Sequence, residues 1–257
     1  MNSYLASVAS ALTEVPRLAG VYLHGSAVLG GFDERRSDID ILAVCDGPVS
    51  AEQQAEIAAA LSERTLPCPA QGLELSIVTR ETAGHPTASP AFELHLTTGS
   101  AHAKVIDGHQ HPGDPDLVLH FAVCRQSGRL IGPGLPATEV FGRVPRDLIL
   151  AQLSSELTWG AEHADGEYAV LNACRAWRFA VDGALVSKID GGRWALERLD
   201  GLERLDGPER LDGLERLDGV DRELVGAALD RQRGLPAASL DPDAVGRFIE
   251  RTLRYTG

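Results

Sequence analysis

The chain has 257 residues, 44% hydrophobic and 24% charged, enough apolar material for a real core and too much for wholesale disorder. With 37 acidic against 24 basic residues its formal net charge is −13, which repels a polyphosphate backbone and suits cationic partners or a phosphate compound masked by metal. No apolar run approaches the ~20 residues needed to cross a bilayer, and the scattered Cys45, Cys68, Cys124 and Cys174 form no CxxC pair, which predicts free thiols in the cytoplasm.

The length suits two modest domains. Tyr4, Leu5, Val8, Leu12 and Val15 recur at helical spacing, so the N-terminal stretch reads as an amphipathic helix and not a signal peptide. A strand is expected over Gly20–His24, ending at Gly25-Ser26, and a second over Asp38–Val44. Ser50 caps a helix through Leu61, and the alternation of Leu73–Val78 predicts a third strand. From Gly84 to Pro115 periodicity fades. A strand near Phe92–Leu96 and a helix from Asp116 to Arg129 are the features expected there, and His95, His102, His109, His111 and His120 read as members of exposed segments, not a metal site. A breaker cluster at Gly132–Pro136 and Arg143-Val144-Pro145-Arg146 mark a boundary. Beyond it the stripes Leu148/Ile149/Leu153/Leu157, Leu171/Cys174/Trp177/Arg178/Val181 and Val245/Phe248/Ile249/Leu253 predict helices. The expected fold is therefore α+β: a mixed sheet with flanking helices over residues 1–144, then an all-α domain over 145–257.

Within the second domain Glu197-Arg198-Leu199-Asp200-Gly201-Leu202 recurs to about residue 220 with a period of six. That period fits neither a heptad nor a common solenoid. Its recurring glycines and charges suit a solvated insertion at about 197–220.

The chemistry is carried by Gly25-Ser26, Asp38-Ile39-Asp40 and Glu74. Residues i and i+2 of a strand share a face, so Asp38 and Asp40 project together while Ile39 and Ile41 pack behind them. Adjacent carboxylates repel unless a cation lies between them, and oxygen ligands suit magnesium. If the neighbouring strand turns Glu74 to the same face, three carboxylates converge, enough for two metal ions and a base beside an incoming hydroxyl. Gly25 lets backbone approach a phosphate closely, and Ser26 adds hydroxyl and amide donors. Taken singly each piece is ordinary: Asp-Ile-Asp is common on surfaces and Gly-Ser in turns. His24 beside the loop reads as a structural hydrogen-bonding group, and Trp177 and Trp194 as core.

Leu23-His24-Gly25-Ser26-Ala27, then Gly30-Gly31 and Ser37-Asp38-Ile39-Asp40-Ile41-Leu42, resemble the signature of the nucleotidyltransferase superfamily typified by DNA polymerase beta. They resemble more closely the bacterial enzymes that adenylylate streptomycin and spectinomycin. Val170–Trp177, Gly183, Lys188 and Trp194–Leu199 are similar to the helical carboxyl domain of that family. The resemblance implies AMP transfer from MgATP to a hydroxyl of an aminoglycoside or aminocyclitol, with ATP as co-substrate and two Mg2+ ions held at Asp38, Asp40 and Glu74. It further implies that Gly25 and Ser26 hold the triphosphate, that Glu74 is the base, and that Arg175 and Lys188 contact the nucleotide phosphates. Asp165 matches a carboxylate that grips the antibiotic and Trp159 an aromatic at the substrate cleft. Tyr168 is the third residue the resemblance places at the substrate, though it stands where streptomycin- and spectinomycin-modifying members carry a smaller polar residue or histidine, and a further acidic position is matched only by Glu162. The implied partners are ATP and a cationic small molecule, with no nucleic acid or membrane, acting on a monomer. A protein or tRNA acceptor is the competing reading, against which Trp177, Lys188 and Trp194 weigh. An inactive nucleotide sensor is another, against which the retained Asp38, Asp40 and Glu74 weigh.

Overall fold

Apolar residues at alternate positions of three central segments build a sheet that is oily on both faces. The computed structural model describes residues 1–15, 17–99, 103–203 and 219–256, and the chain divides into two compact units, Met1–Ile149 and Leu150–Gly257. The first unit contains β1 (Leu18–Leu23), β2 (Ile39–Cys45), β3 (Leu73–Thr79), β4 (Leu94–Thr97), β5 (Lys104–Asp107) and β6 (Arg129–Leu130). They form one sheet in the order β5-β4-β3-β2-β1-β6, in which β2 and β3 run parallel and the other neighbours antiparallel. A parallel pair needs a crossover, and α3 (Ala51–Ala60) supplies it. Ser50 caps α3 through a reciprocal box: its Oγ accepts from the Gln53 N–H and its own N–H donates to Gln53 Oε1.

The strand period of two sorts the faces. Ile39, Ile41, Leu73, Leu75, Leu94 and Leu96 pack against α1 (Asn2–Ala11) and α3. Tyr22, Leu42, Val44 and Val78 pack on the other side with Phe121 of α5 (Leu117–Ser127), Val140 of α6 (Ala137–Val140) and Phe141. Short α2 (Ser26–Leu29) and α4 (Arg80–Gly84) complete the unit.

Two expectations need correction here. The N-terminal helix stops at Ala11 and continues as a tighter 3-10 turn over Leu12–Glu14, after which Val15 is extended; a residue preceding proline is biased away from helix. All five of its apolar residues are nonetheless buried. His95 is not exposed: it lies on β4, buried, with Nδ1 3.0 Å from Ser76 Oγ. His120 lies half-buried on α5, while His109 reaches the buried Glu93 at 2.8 Å. His102 lies outside the described residues.

The second unit is helical: α7 (Arg146–His163, which begins in the first unit), α8 (Gly166–Asp182), α9 (Lys188–Glu203), α10 (Gly219–Gln232) and α11 (Pro242–Thr256). Helix α8 is central. It carries the buried Leu171, Cys174 and Trp177 against α9, α10 and α11. Val181, expected on that stripe, is 44% exposed because it lies in the last turn of α8, just before the left-handed Gly183. Trp177 is buried edge-on to the half-buried Trp194, at 4.9 Å between ring centroids. The hexapeptide repeat lies largely outside the described residues.

Candidate active site

Where β1 ends, the His24 N–H donates to the Asp40 carbonyl at 3.0 Å. The chain then turns at Gly25 with φ +60°, a conformation that disfavours any side chain. A Cβ built there would lie 1.8 Å from Asp40 Oδ2. Glycine is therefore what lets the loop rest directly on the carboxylate. The Ser26 N–H, at the start of α2, donates to that same carboxylate.

Parallel register sets Asp40 opposite Glu74, and Glu74 faces Thr97 on its other side. The start of β3 is pinned by the Leu73 N–H donating to Thr98 Oγ1 at 3.0 Å. Asp38 lies just before β2, exposed, instead of within the strand as expected, because β2 begins at Ile39. Its Oδ1 is near Gly72, 3.3 Å from where a Cβ would stand. Burial, followed by the charges of Glu74 and Asp38, pushes the Asp40 carboxyl up to about 7.

Among the described residues no three histidine, cysteine or acidic side chains are gathered closely enough to hold a metal ion by themselves. The donors still fit a hard divalent cation. Asp40 and Glu74 are cross-strand neighbours, all three candidates offer oxygen, and the Asp40 carboxylate, disfavoured by burial first and by the Glu74 and Asp38 charges second, is one a cation would stabilise.

Behind these carboxylates sequence reasoning read His24 in its structural role but missed its contact with His120 and the buried Ser76–His95 pair. His24 is buried, its ring held by the Ile41 backbone and 4.7 Å from that of His120; burial and His120 keep its pKa well below the usual histidine range. Its setting is that of a structural group. Ser76, two residues beyond Glu74 on the same face, bonds His95, which burial also holds low. The alternation of Phe92–Leu96 was the available signal for His95, whereas nothing local marks His120.

In the second unit Trp159 is 55% exposed and stacked on His163, with 5.3 Å between centroids and 11° between planes. Exposed Asp165 is the N-cap of α8, yet its side chain makes no capping hydrogen bond. Tyr168 lies one turn on, with the Lys188 ammonium 3.8 Å from its ring centroid. Arg175 donates through Nε to the Val186 carbonyl at 3.0 Å and through Nη1 to Asn172 Oδ1 at 3.1 Å. Ser187 caps α9, its Oγ accepting from the Asp190 N–H, so Lys188 stands at the positive end of that helix. Glu162 is exposed beside His163.

A glycine-serine turn lying on paired strand carboxylates, joined to a helical unit, defines a nucleotidyltransferase-class protein, and residues 7–84 match the nucleotidyltransferase domain. Residues 139–204 match the aminoglycoside adenylyltransferase C-terminal domain. The aminoglycoside (3'')(9) adenylyltransferase of Klebsiella pneumoniae is 30% identical over 220 residues, covering 77% of this chain and 82% of its own, and that of Escherichia coli is 30% identical with 81% of its own length covered. The chain belongs to the aminoglycoside adenylyltransferase family. The fold is that of the spectinomycin adenyltransferase AAD(9) from Enterococcus faecialis, solved with ATP and spectinomycin: the TM-score is 0.69 at 16% identity, with 97% of this chain and 98% of that one covered.

Proposed function

We propose that the protein transfers AMP from MgATP to a hydroxyl of an aminoglycoside or aminocyclitol of the streptomycin or spectinomycin type, releasing pyrophosphate. The observation that carries this reading is the register of Asp40 against Glu74 beneath the Gly25-Ser26 turn. In the reaction the drug hydroxyl oxygen bonds to the α-phosphorus, the bond from that phosphorus to the bridging oxygen breaks, and pyrophosphate leaves with the electron pair. Glu74 accepts the hydroxyl proton, a contribution of ~10²–10⁴-fold. Asp38, Asp40 and Glu74 are the residues that would hold magnesium, which when bound neutralises charge on the phosphate oxygens.

Gly25 and Ser26 present backbone and hydroxyl donors to the triphosphate. Arg175 and Lys188 hold its tail, with the α9 N-terminus adding positive potential. Asp165 attracts an ammonium or guanidinium group of the drug, and exposed Trp159 offers a ring face to it. The net charge of −13 suits a polycationic acceptor. The test is purified protein with magnesium, each NTP in turn and an aminoglycoside panel, read by mass spectrometry. An AMP adduct on a streptomycin- or spectinomycin-type drug is expected; no adduct with any drug and NTP sinks the reading.

A further inference from the structure

We infer that Tyr168 is a positioning residue for Lys188, setting the grip on the nucleotide's phosphates through the face of its ring, and is not a contact for the drug. This rests on the role given to Lys188 above. Tyr168, Leu171 and Arg175 are spaced i, i+3 and i+7 and so lie along one side of α8. The first turn of α9 sits directly on that side because Gly191 and Gly192 lack side chains. A Cβ on Gly191 would lie 3.0 Å from the Arg175 backbone nitrogen, and one on Gly192 would lie 2.8 Å from Leu171 Cδ2. Lys188, three residues ahead of Gly191, is thereby carried over Tyr168, 3.8 Å from its ring centroid.

The ring is itself held. Gly160 of α7 lies along its edge, where an added Cβ would be 3.9 Å from Cδ1 and Cε1. The adjacent Glu167, buried, pairs with Arg231 of α10 at 2.8 Å. A lysine has a long flexible stem whose ordering on phosphate binding costs entropy, and a fixed aromatic face restrains the ammonium beforehand. Arg175 is fixed from the same helix by Val186 and Asn172. One face of α8 thus arranges both cations before nucleotide arrives.

Steady-state kinetics test this. Tyr168→Ala and Tyr168→Leu, the latter keeping apolar bulk without a ring, are expected to raise KM for ATP about 3- to 30-fold, the span from an exposed to a desolvated cation–π contact, with Tyr168 half-buried. Their kcat and drug KM should change less than about twofold. Tyr168→Phe should recover most of the lost affinity, because the ring face remains. In proton NMR the Lys188 methylenes should be shifted upfield by the ring and return to ordinary positions in Tyr168→Leu. Lys188→Ala separates the two layers of argument. If it leaves the ATP KM unchanged, the role given to Lys188 falls and this proposal with it. If it raises that KM while Tyr168→Leu does not, only the positioning role is overturned. A rise in drug KM with unchanged ATP KM in the Tyr168 variants would likewise overturn it, making Tyr168 a drug contact.

Discussion

The candidate residues of the two units are held in different ways. In the first unit they are fixed by backbone: Asp40 by strand register and by a glycine that leaves no room for a methyl group, Glu74 by pairing on both sides. In the second they are side chains on helix surfaces, steadied by one another: Trp159 on His163, Lys188 on Tyr168, Arg175 on a carbonyl. A reacting geometry tolerates little displacement, whereas recognition of varied cationic ligands is adjusted one side chain at a time. The contrast teaches that substitutions in the sheet should act on rate, and those in the helices on affinity.

The sharpest break comes from Glu74→Gln. It should lower turnover at least ~10²-fold while ATP binding, followed by calorimetry, survives; wild-type turnover removes Glu74 from the mechanism. A smaller effect is expected from Asp165→Asn and Trp159→Ala. Each should raise drug KM about tenfold, in keeping with a partly exposed charge or cation–π contact, and leave ATP KM nearly unchanged. A fall in kcat alone would erase the distinction between the units.

A third measurement addresses Asp40. The folded chain holds its proton to about pH 7, against 3.8 for the ordinary carboxyl. That group's stabilisation is complete below about pH 4 and is lost as pH rises towards 7. A cation on the deprotonated carboxylate reverses the loss. The gain in Tm on exchanging EDTA for magnesium should therefore grow from pH 5.5 to pH 8, and a pH-independent gain would place the cation elsewhere. The smallest effect is expected from excising Gly201–Asp218. On sequence grounds loop length matters only logarithmically, ~0.6 kcal/mol per doubling, so Tm should stay within a few degrees and adenylyl transfer persist. An insoluble product would show that the repeat leucines pack on the protein.

The central strands and the capped helix α3 were legible because local pattern and burial agree there: Leu73–Val78 alternates, and Ser50 meets Gln53 three residues on. So were the stripes of α7, α8 and α11, whose Leu153, Leu171 and Phe248 are buried. Strands β5 and β6 were not. Lys104–Asp107 is a short, half-exposed edge, and Arg129–Leu130 is two residues defined by pairing with β1. Neither carries a periodicity of its own, and tertiary pairing decides them. Of the site, the glycine turn and the strand positions of Asp40 and Glu74 were readable from spacing, whereas Asp38, expected on the strand, falls just before it. The approach of Lys188 to Tyr168 was not, because it depends on two glycines drawing α9 onto α8.

The unequal setting of the three tryptophans has a practical consequence. Trp159 is exposed and stacked on His163, while Trp177 is enclosed and packs edge-on with Trp194. The protein therefore carries two optically distinct indole populations: red-edge emission open to iodide from the first, shielded blue-edge emission from the pair. Loss of the helical core, and drug arrival at Trp159 on the reading proposed above, would then register at separate wavelengths in one unlabelled sample.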